Sequence, residues 1–185
     1  MMSKLYLSLS LFTILAACGD KAGPTADTPN GTPGNTPKTG AAALTLAADP
    51  GVATTVLQAK EGGPNKNVIV EGRVYDLTKD WAIMKVMEVS MDYCGEVNKE
   101  DKCPTPWDYC CDNPDDIAKN SLLVMAVDGQ GETLEVPVMP GMRLVDKVKI
   151  TGELTKDEHG NFVLLAKGIF RVERPTLPDY IMWPE

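Results

Sequence analysis

Over much of residues 67–172 apolar residues alternate with polar ones. That period of two marks strands with one buried face. Val68, Val70, Gly72 and Val74 are interleaved with Ile69, Glu71, Arg73 and Tyr75. A second run, rich in Val, Ile and Met, extends from Trp81 to Met91, and a third from Leu122 to Val127. Asp128-Gly129-Gln130-Gly131 is a hairpin signal leading into Leu134, Val136 and Val138, and Pro140-Gly141 breaks that run. Val148, Ile150, Gly152 and Leu154 alternate again, Lys156 to Asn161 is a polar turn, and Phe162 to Val172 closes the set. About six short strands with almost no helix predict an all-β domain, a small closed barrel or sandwich, over residues 67–174.

The flanks follow other patterns. Leu5 to Ala17 is apolar apart from Ser8, Ser10 and Thr13, too short for the roughly 20 residues a bilayer requires. With Lys4 before it, the run has the make-up of an export signal over residues 1–17. Residues 18–40 are predicted to be a tether: between Gly19 and Gly40 there are prolines at 24, 29, 33 and 37 and no Leu, Ile, Val or aromatic residue. Residues 41–66 hold Leu44, Leu46, Val52, Val56 and Leu57, enough for a short docking segment. Thr54 or Thr55 would open one turn of helix there, and Glu61-Gly62-Gly63-Pro64 would stop it. Residues 175–185 are left as a C-terminal tail.

The apolar run ends Leu15-Ala16-Ala17-Cys18, which resembles the lipobox of bacterial lipoproteins. The resemblance implies that Cys18 carries the lipid and becomes the mature N-terminus. It further implies a protein anchored to the membrane through Cys18 and facing the periplasm or the exterior. Two or three acyl chains, at about 0.8 kcal/mol per buried CH₂, anchor stably where one does not.

Charge narrows the partners. Of 185 residues, 26 are acidic and 18 basic, for a net −8, and loss of Lys4 with the signal makes the mature chain more negative still. An acidic surface repels phosphate, the main source of nucleic-acid affinity. The expected partners are therefore the membrane, through Cys18, and an envelope protein or a basic partner, with no nucleic acid.

Two resemblances add to this. Asn67-Val-Ile-Val-Glu-Gly-Arg-Val74 resembles the first strand of an OB-fold. Asp146-Lys-Val-Lys-Ile-Thr-Gly-Glu-Leu154 and Asn161-Phe-Val-Leu-Leu-Ala-Lys-Gly-Ile169 resemble its fourth and fifth strands. The implied fold is an OB-like barrel of five or six strands, with residues 92–120 inserted between strands two and three. Cys103-Pro-Thr-Pro-Trp-Asp-Tyr-Cys-Cys111 is similar to a segment of uncharacterised planctomycete-type lipoproteins. That likeness implies a cellular place but no reaction.

The candidate chemistry lies in the insertion. Apart from Cys18, all cysteines fall there: Cys94, Cys103, Cys110 and Cys111. Clustered, even-numbered cysteines in an exported chain point to disulfides. A Cys110–Cys111 link would be a strained vicinal ring, which leaves Cys94–Cys110 with Cys103–Cys111, or Cys94–Cys111 with Cys103–Cys110. The alternative is a zinc or copper site made by the four thiolates. Against it stand the lack of a C-x2-C spacing and the adjacent cysteines, which would point apart on an extended backbone. Trp107, Asp108 and Tyr109 are candidate partner contacts, since rigid aromatics with polar tips serve as binding hot spots; packing over the barrel is their plainer role. Asp92, Glu96, Glu100, Asp101, Asp108, Asp112, Asp115 and Asp116 against Lys99 and Lys102 read as a solvated acidic face.

No catalytic residue is expected. The single histidine, His159, lies in a predicted turn, and no phosphate-binding loop, dinucleotide fingerprint or HExxH zinc motif is present. The expectation is a non-catalytic binding or envelope-structural module with no cofactor. Met84, Met87, Met91 and Met125 fall in the strand patterns and read as core.

Overall fold

The structure is a computed structural model that describes residues 44–97, 100, 102–176 and 180. The predicted signal, Cys18, the tether and most of the C-terminal tail lie outside the described residues, which all belong to one compact unit, Thr36–Glu185.

Six strands form one sheet: β1 Thr54–Thr55, β2 Asn65–Leu77, β3 Ile83–Met87, β4 Ser121–Met125, β5 Lys147–Lys156 and β6 Phe162–Glu173. Their order is β1-β2-β3-β4-β6-β5, and β2 pairs with β5 as well. That last pairing closes β2 to β6 into a five-stranded barrel, and β1 is a short parallel addition to β2. All barrel pairings are antiparallel except β4 with β6. The fold is thus an all-β barrel, OB-like in general kind.

The alternation seen in the sequence is the inside–outside alternation of this barrel. Val70, Val74, Met84, Val86, Leu122, Val124, Val148, Ile150, Leu154, Leu164 and Ile169 fill the interior. Val56 and Ala59, from the helix α1 Val56–Gly62, join them. That helix starts where the sequence predicted. The Thr55 hydroxyl accepts from Gln58 N, the Gln58 side chain accepts from Thr55 N, and Gly63 ends the helix, a reciprocal cap that satisfies two orphan donors. Further upstream, Leu46 N donates to Ile169 O at 2.8 Å.

Asp146, fully buried, accepts from Arg174 Nε at 2.7 Å and Nη2 at 2.6 Å, and from Arg143 N at 3.0 Å. It ties the residue after β6 to the turn before β5. No helix among the described residues is long and apolar enough to cross a membrane.

Two local expectations need correction. Leu134, Val136 and Val138 do not form a strand. Beyond one bridge between Val127 and Thr133, the pairing stops. Pro137 and Pro140 cannot donate to a ladder, and Leu134 instead donates to Ala126 O and accepts from Ala82 N. The second sequence run, expected over Trp81–Met91, is strand only from Ile83 to Met87. Glu88 leaves it by donating its N–H to Asn120 O at 2.8 Å.

Candidate functional site: the cysteine insertion

That Glu88–Asn120 bond is the neck of the insertion. Beyond it the chain carries two short helices, α2 Cys94–Val97 and α3 Pro114–Asn120. α3 was missed by the sequence reading, which took Asp112, Asp115 and Asp116 for a solvated acidic face. Its start signals are present in the sequence all the same. Asn113 caps through Asp115 N at 2.8 Å, Pro114 follows, and two acids sit in the first turn, where the helix dipole favours them. Lys60 of α1 donates to the carbonyls of Lys119 at 2.7 Å and Ser121 at 2.6 Å, covering the C-terminal end of α3.

The insertion folds over the outer face of the barrel, and a second small core forms there. Met87, Tyr93, Tyr109 and Val145 are its buried members, with Tyr75, Met91, Trp107 and Ile117 packed against them. Arg73 and Tyr75 are outward-facing residues of β2, so the face that alternation assigns to solvent is covered here. Tyr109 is completely buried and meets Tyr75 edge to face, with centroids 5.4 Å apart. The Arg73 guanidinium lies 4.9 Å from the Tyr93 ring centroid and pairs with Glu96 at 2.7 Å. Arg73 Nε and Tyr109 Oη are buried without a hydrogen-bond partner among the described residues. Burial pushes the Tyr109 phenol up to about 12, against the opposing pull of the Arg73 charge.

These contacts change the role of the aromatic segment. Tyr109 is a core anchor and offers no surface to a partner. Trp107 is half-buried against the same core. Asp108 turns its carboxylate to Tyr109 N at 2.7 Å. Its carbonyl accepts from Cys94 N at 2.8 Å, and Pro106 O accepts from Gly95 N at 2.7 Å. Gly95 is required by this approach, because a Cβ on it would lie 2.9 Å from Pro106 Cβ and 3.0 Å from Pro106 O.

The two hydrogen bonds set Cys94 against the segment 106–111. Asp112 N donates to Tyr109 O at 3.0 Å, which makes Cys110 and Cys111 the two central residues of a tight turn. The expected divergence of adjacent cysteines holds for an extended backbone; in a turn both can face one way. Cys94 Sγ lies 3.7 Å from Cys110 Sγ and 4.0 Å from Cys111 Sγ. Cys103 is apart from the three, with its sulfur 3.7 Å from Thr105 Oγ1.

The four cysteines are free thiols in this structure, and neither expected disulfide is present. The 3.7 Å from Cys94 to Cys110 and 4.0 Å from Cys94 to Cys111 are contacts between thiols, against about 2.05 Å for a sulfur–sulfur bond. Cys94 is half-buried, whereas Cys110 and Cys111 are exposed. Burial and the neighbouring Cys110 raise the Cys94 thiol above its ordinary value. The Cys111 thiol is raised by its hydrogen bond to Cys94 and by that group's charge.

His159 sits in the β5–β6 turn, exposed, with Glu158 3.4 Å away. Met84 belongs to the barrel interior and Met87 to the outer core.

No protein-family model matches this sequence, and no curated protein matches it. Among solved structures it is similar to a putative aspartyl-tRNA synthetase from Leishmania major Friedlin, at 18% identity and a TM-score of 0.37. The match covers 74% of this chain but 24% of that one, so the chain spans about a quarter of that protein's length.

Proposed function

We propose that this chain is a lipid-anchored, extracytoplasmic, non-catalytic binding module, with the cysteine insertion as its binding element and the barrel as its scaffold. The observation that carries this reading is the convergence of Cys94, Cys110 and Cys111 on one spot of an insertion that Tyr93, Tyr109 and the Arg73–Glu96 pair hold to the barrel. The anchor part of the reading rests on Leu15-Ala16-Ala17-Cys18 and on the polar, proline-rich stretch after it, long enough to let a domain stand off a membrane.

A Cys18→Ser variant expressed in a bacterial host is expected to leave the membrane fraction, and the wild type to incorporate radiolabelled palmitate. Failure of the wild type to take up label would remove the anchor from the reading. It would leave the insertion's role untouched.

A second reading keeps the insertion but makes it purely structural: two disulfides, with Cys110 and Cys111 each joined to a different one of Cys94 and Cys103. The nearness of the Cys94 sulfur to both downstream sulfurs favours it, as does an exported location. A rise of about four hydrogens in intact mass on reduction is its signature, two per bridge.

Barrels of this general kind invite the idea of nucleic-acid binding through a basic groove with stacking aromatics. The charge of −8 speaks against it here. A single-stranded oligonucleotide is expected to show no measurable binding at about 0.15 M salt, since non-specific electrostatic affinity is absent. A micromolar dissociation constant by fluorescence anisotropy would replace the basic-partner argument with a nucleic-acid one.

A further inference from the structure

We infer that Cys94, Cys110 and Cys111 form a binding site for a single soft, thiophilic metal ion of the zinc(II) or copper(I) type. This deepens the proposed function, and it rests on the insertion being the binding element.

The argument begins with distances. A metal bound at about 2.3 Å by thiolates holds those sulfurs about 3.8 Å apart in a tetrahedron and about 4.0 Å apart in a trigonal plane. The two Cys94 contacts are 3.7 Å and 4.0 Å, and all three sulfurs lie within 4.8 Å of one another. Disulfide sulfurs would be far closer, and cysteines without a shared task need not converge at all. Among the described residues this is the one group of three or more His, Cys, Asp or Glu side chains with donor atoms so close together.

The second line of argument is preorganisation. Two backbone hydrogen bonds hold Cys94 and Gly95 against Asp108 and Pro106, and a third shapes the turn that carries the other two sulfurs. Tyr109, the residue immediately before that turn, is locked in the outer core. The backbone that carries the donors is therefore fixed before any ion arrives, which lowers the ordering cost of binding. Exposure of Cys110 and Cys111 gives the ion a way in.

The donor set then selects the ion. All-sulfur ligation favours zinc(II) and copper(I) over the hard cations that prefer carboxylates. On binding, each thiol gives its proton to solvent and each sulfur lends a lone pair to the metal; no electron is transferred. Three thiolates satisfy copper(I). Zinc(II) takes a fourth ligand, for which water on the exposed side and the Cys103 thiolate compete.

The test uses the full chain, reduced and in detergent, with zinc(II) and copper(I) offered in separate arms against a competing chelator. One equivalent of metal by native mass spectrometry is expected, with thiolate charge-transfer absorption in the ultraviolet. Cys110→Ser and Cys94→Ser should each weaken binding by more than about 100-fold, beyond what loss of an outer-sphere partner costs. Cys110 is exposed in a turn, and unchanged circular dichroism of its variant will separate lost ligation from lost folding. Weakening by Cys103→Ser in the zinc arm assigns a four-sulfur zinc site; no effect in the copper arm assigns a three-sulfur copper site. Both outcomes support the proposal. Binding of neither metal, or binding that survives both Cys94→Ser and Cys110→Ser, overturns it. A chain purified without reductant that shows the four-hydrogen mass gain and gains no metal-binding capacity on reduction also overturns it. The anchor experiment on Cys18 is unaffected by any of these results.

Discussion

Tyr109→Ala is expected to destabilise the protein by about 3–5 kcal/mol, the cost of truncating a fully buried aromatic ring. The side chain has no exposure, packs edge-on against Tyr75, and lies among Met87, Tyr93 and Val145. It is the main apolar link between the insertion and the barrel, so the damage should be local first. The amides of Cys94 and Gly95, bonded to Asp108 and Pro106 carbonyls, should exchange with solvent faster, while amides of β5 and β6 stay protected. Tyr109→Phe should behave quite differently. The buried phenol oxygen makes no hydrogen bond of good geometry, and the Arg73 guanidinium reaches it only weakly against the cost of burial, so deleting it gives up little and removes a desolvated polar group. Its stability should match or slightly exceed the wild type at neutral pH.

The same hydroxyl gives an alkaline signature. Burial raises its ionisation from the ordinary 10.0 to about 12. A raised folded value stabilises the protonated form, so this contribution is complete below pH 10 and is lost as pH rises through about 12. The phenylalanine variant lacks that titration and should lose less stability over this window. Urea denaturation of the three proteins at neutral and alkaline pH measures both effects. An alanine variant within about 1 kcal/mol of wild type, with the insertion amides still protected, would mean that Tyr109 is not the anchor.

The barrel was legible in the sequence because its interior is one continuous set of alternating positions. Val70, Gly72 and Val74 face inward, and the period of two says so directly. The insertion was legible only in composition. Its cysteines announce chemistry, but the hydrogen bonds that gather Cys94 toward Cys110 and Cys111 join residues more than ten positions apart, and no local pattern encodes them. The outer core was hidden for a related reason. Alternation predicts that Arg73 and Tyr75 face water, and it is silent about a later segment folding over them. The side chain of Arg73 ends 12% exposed, held by Glu96 and Tyr93. Helix α3 could have been found: Asn113-Pro114-Asp115-Asp116 is a capped start, and reading its acids only as charge concealed it. The failed strand at Leu134–Val138 shows the opposite error, since alternation there was trusted over Pro137, which cannot pair.

Gly152→Ala is expected to be as damaging as the loss of Tyr109, through the barrel rather than the insertion. Gly152 is buried in β5, where the register with β6 shifts between Thr151 and Gly152. A Cβ there would sit 3.0 Å from Leu165 C and nearer still to Leu165 O. Those are backbone atoms in a paired strand, so no side-chain rotation can make room. The β5 and β6 backbones would have to separate at the pairing that runs the whole length of both strands. Overpacking of a rigid core costs about 1–3 kcal/mol and sometimes more, and a clash with main chain belongs at or above the upper end. Gly129→Ala is the matched control: it adds the same methyl group in a turn, where nothing lies within 4 Å. Thermal unfolding of the two variants should show a marked loss of Tm for Gly152→Ala and almost none for Gly129→Ala. Equal melting temperatures would mean that the close approach of β5 to β6 at Leu165 relaxes at little cost, and that Gly152 is not what lets the barrel close at this point.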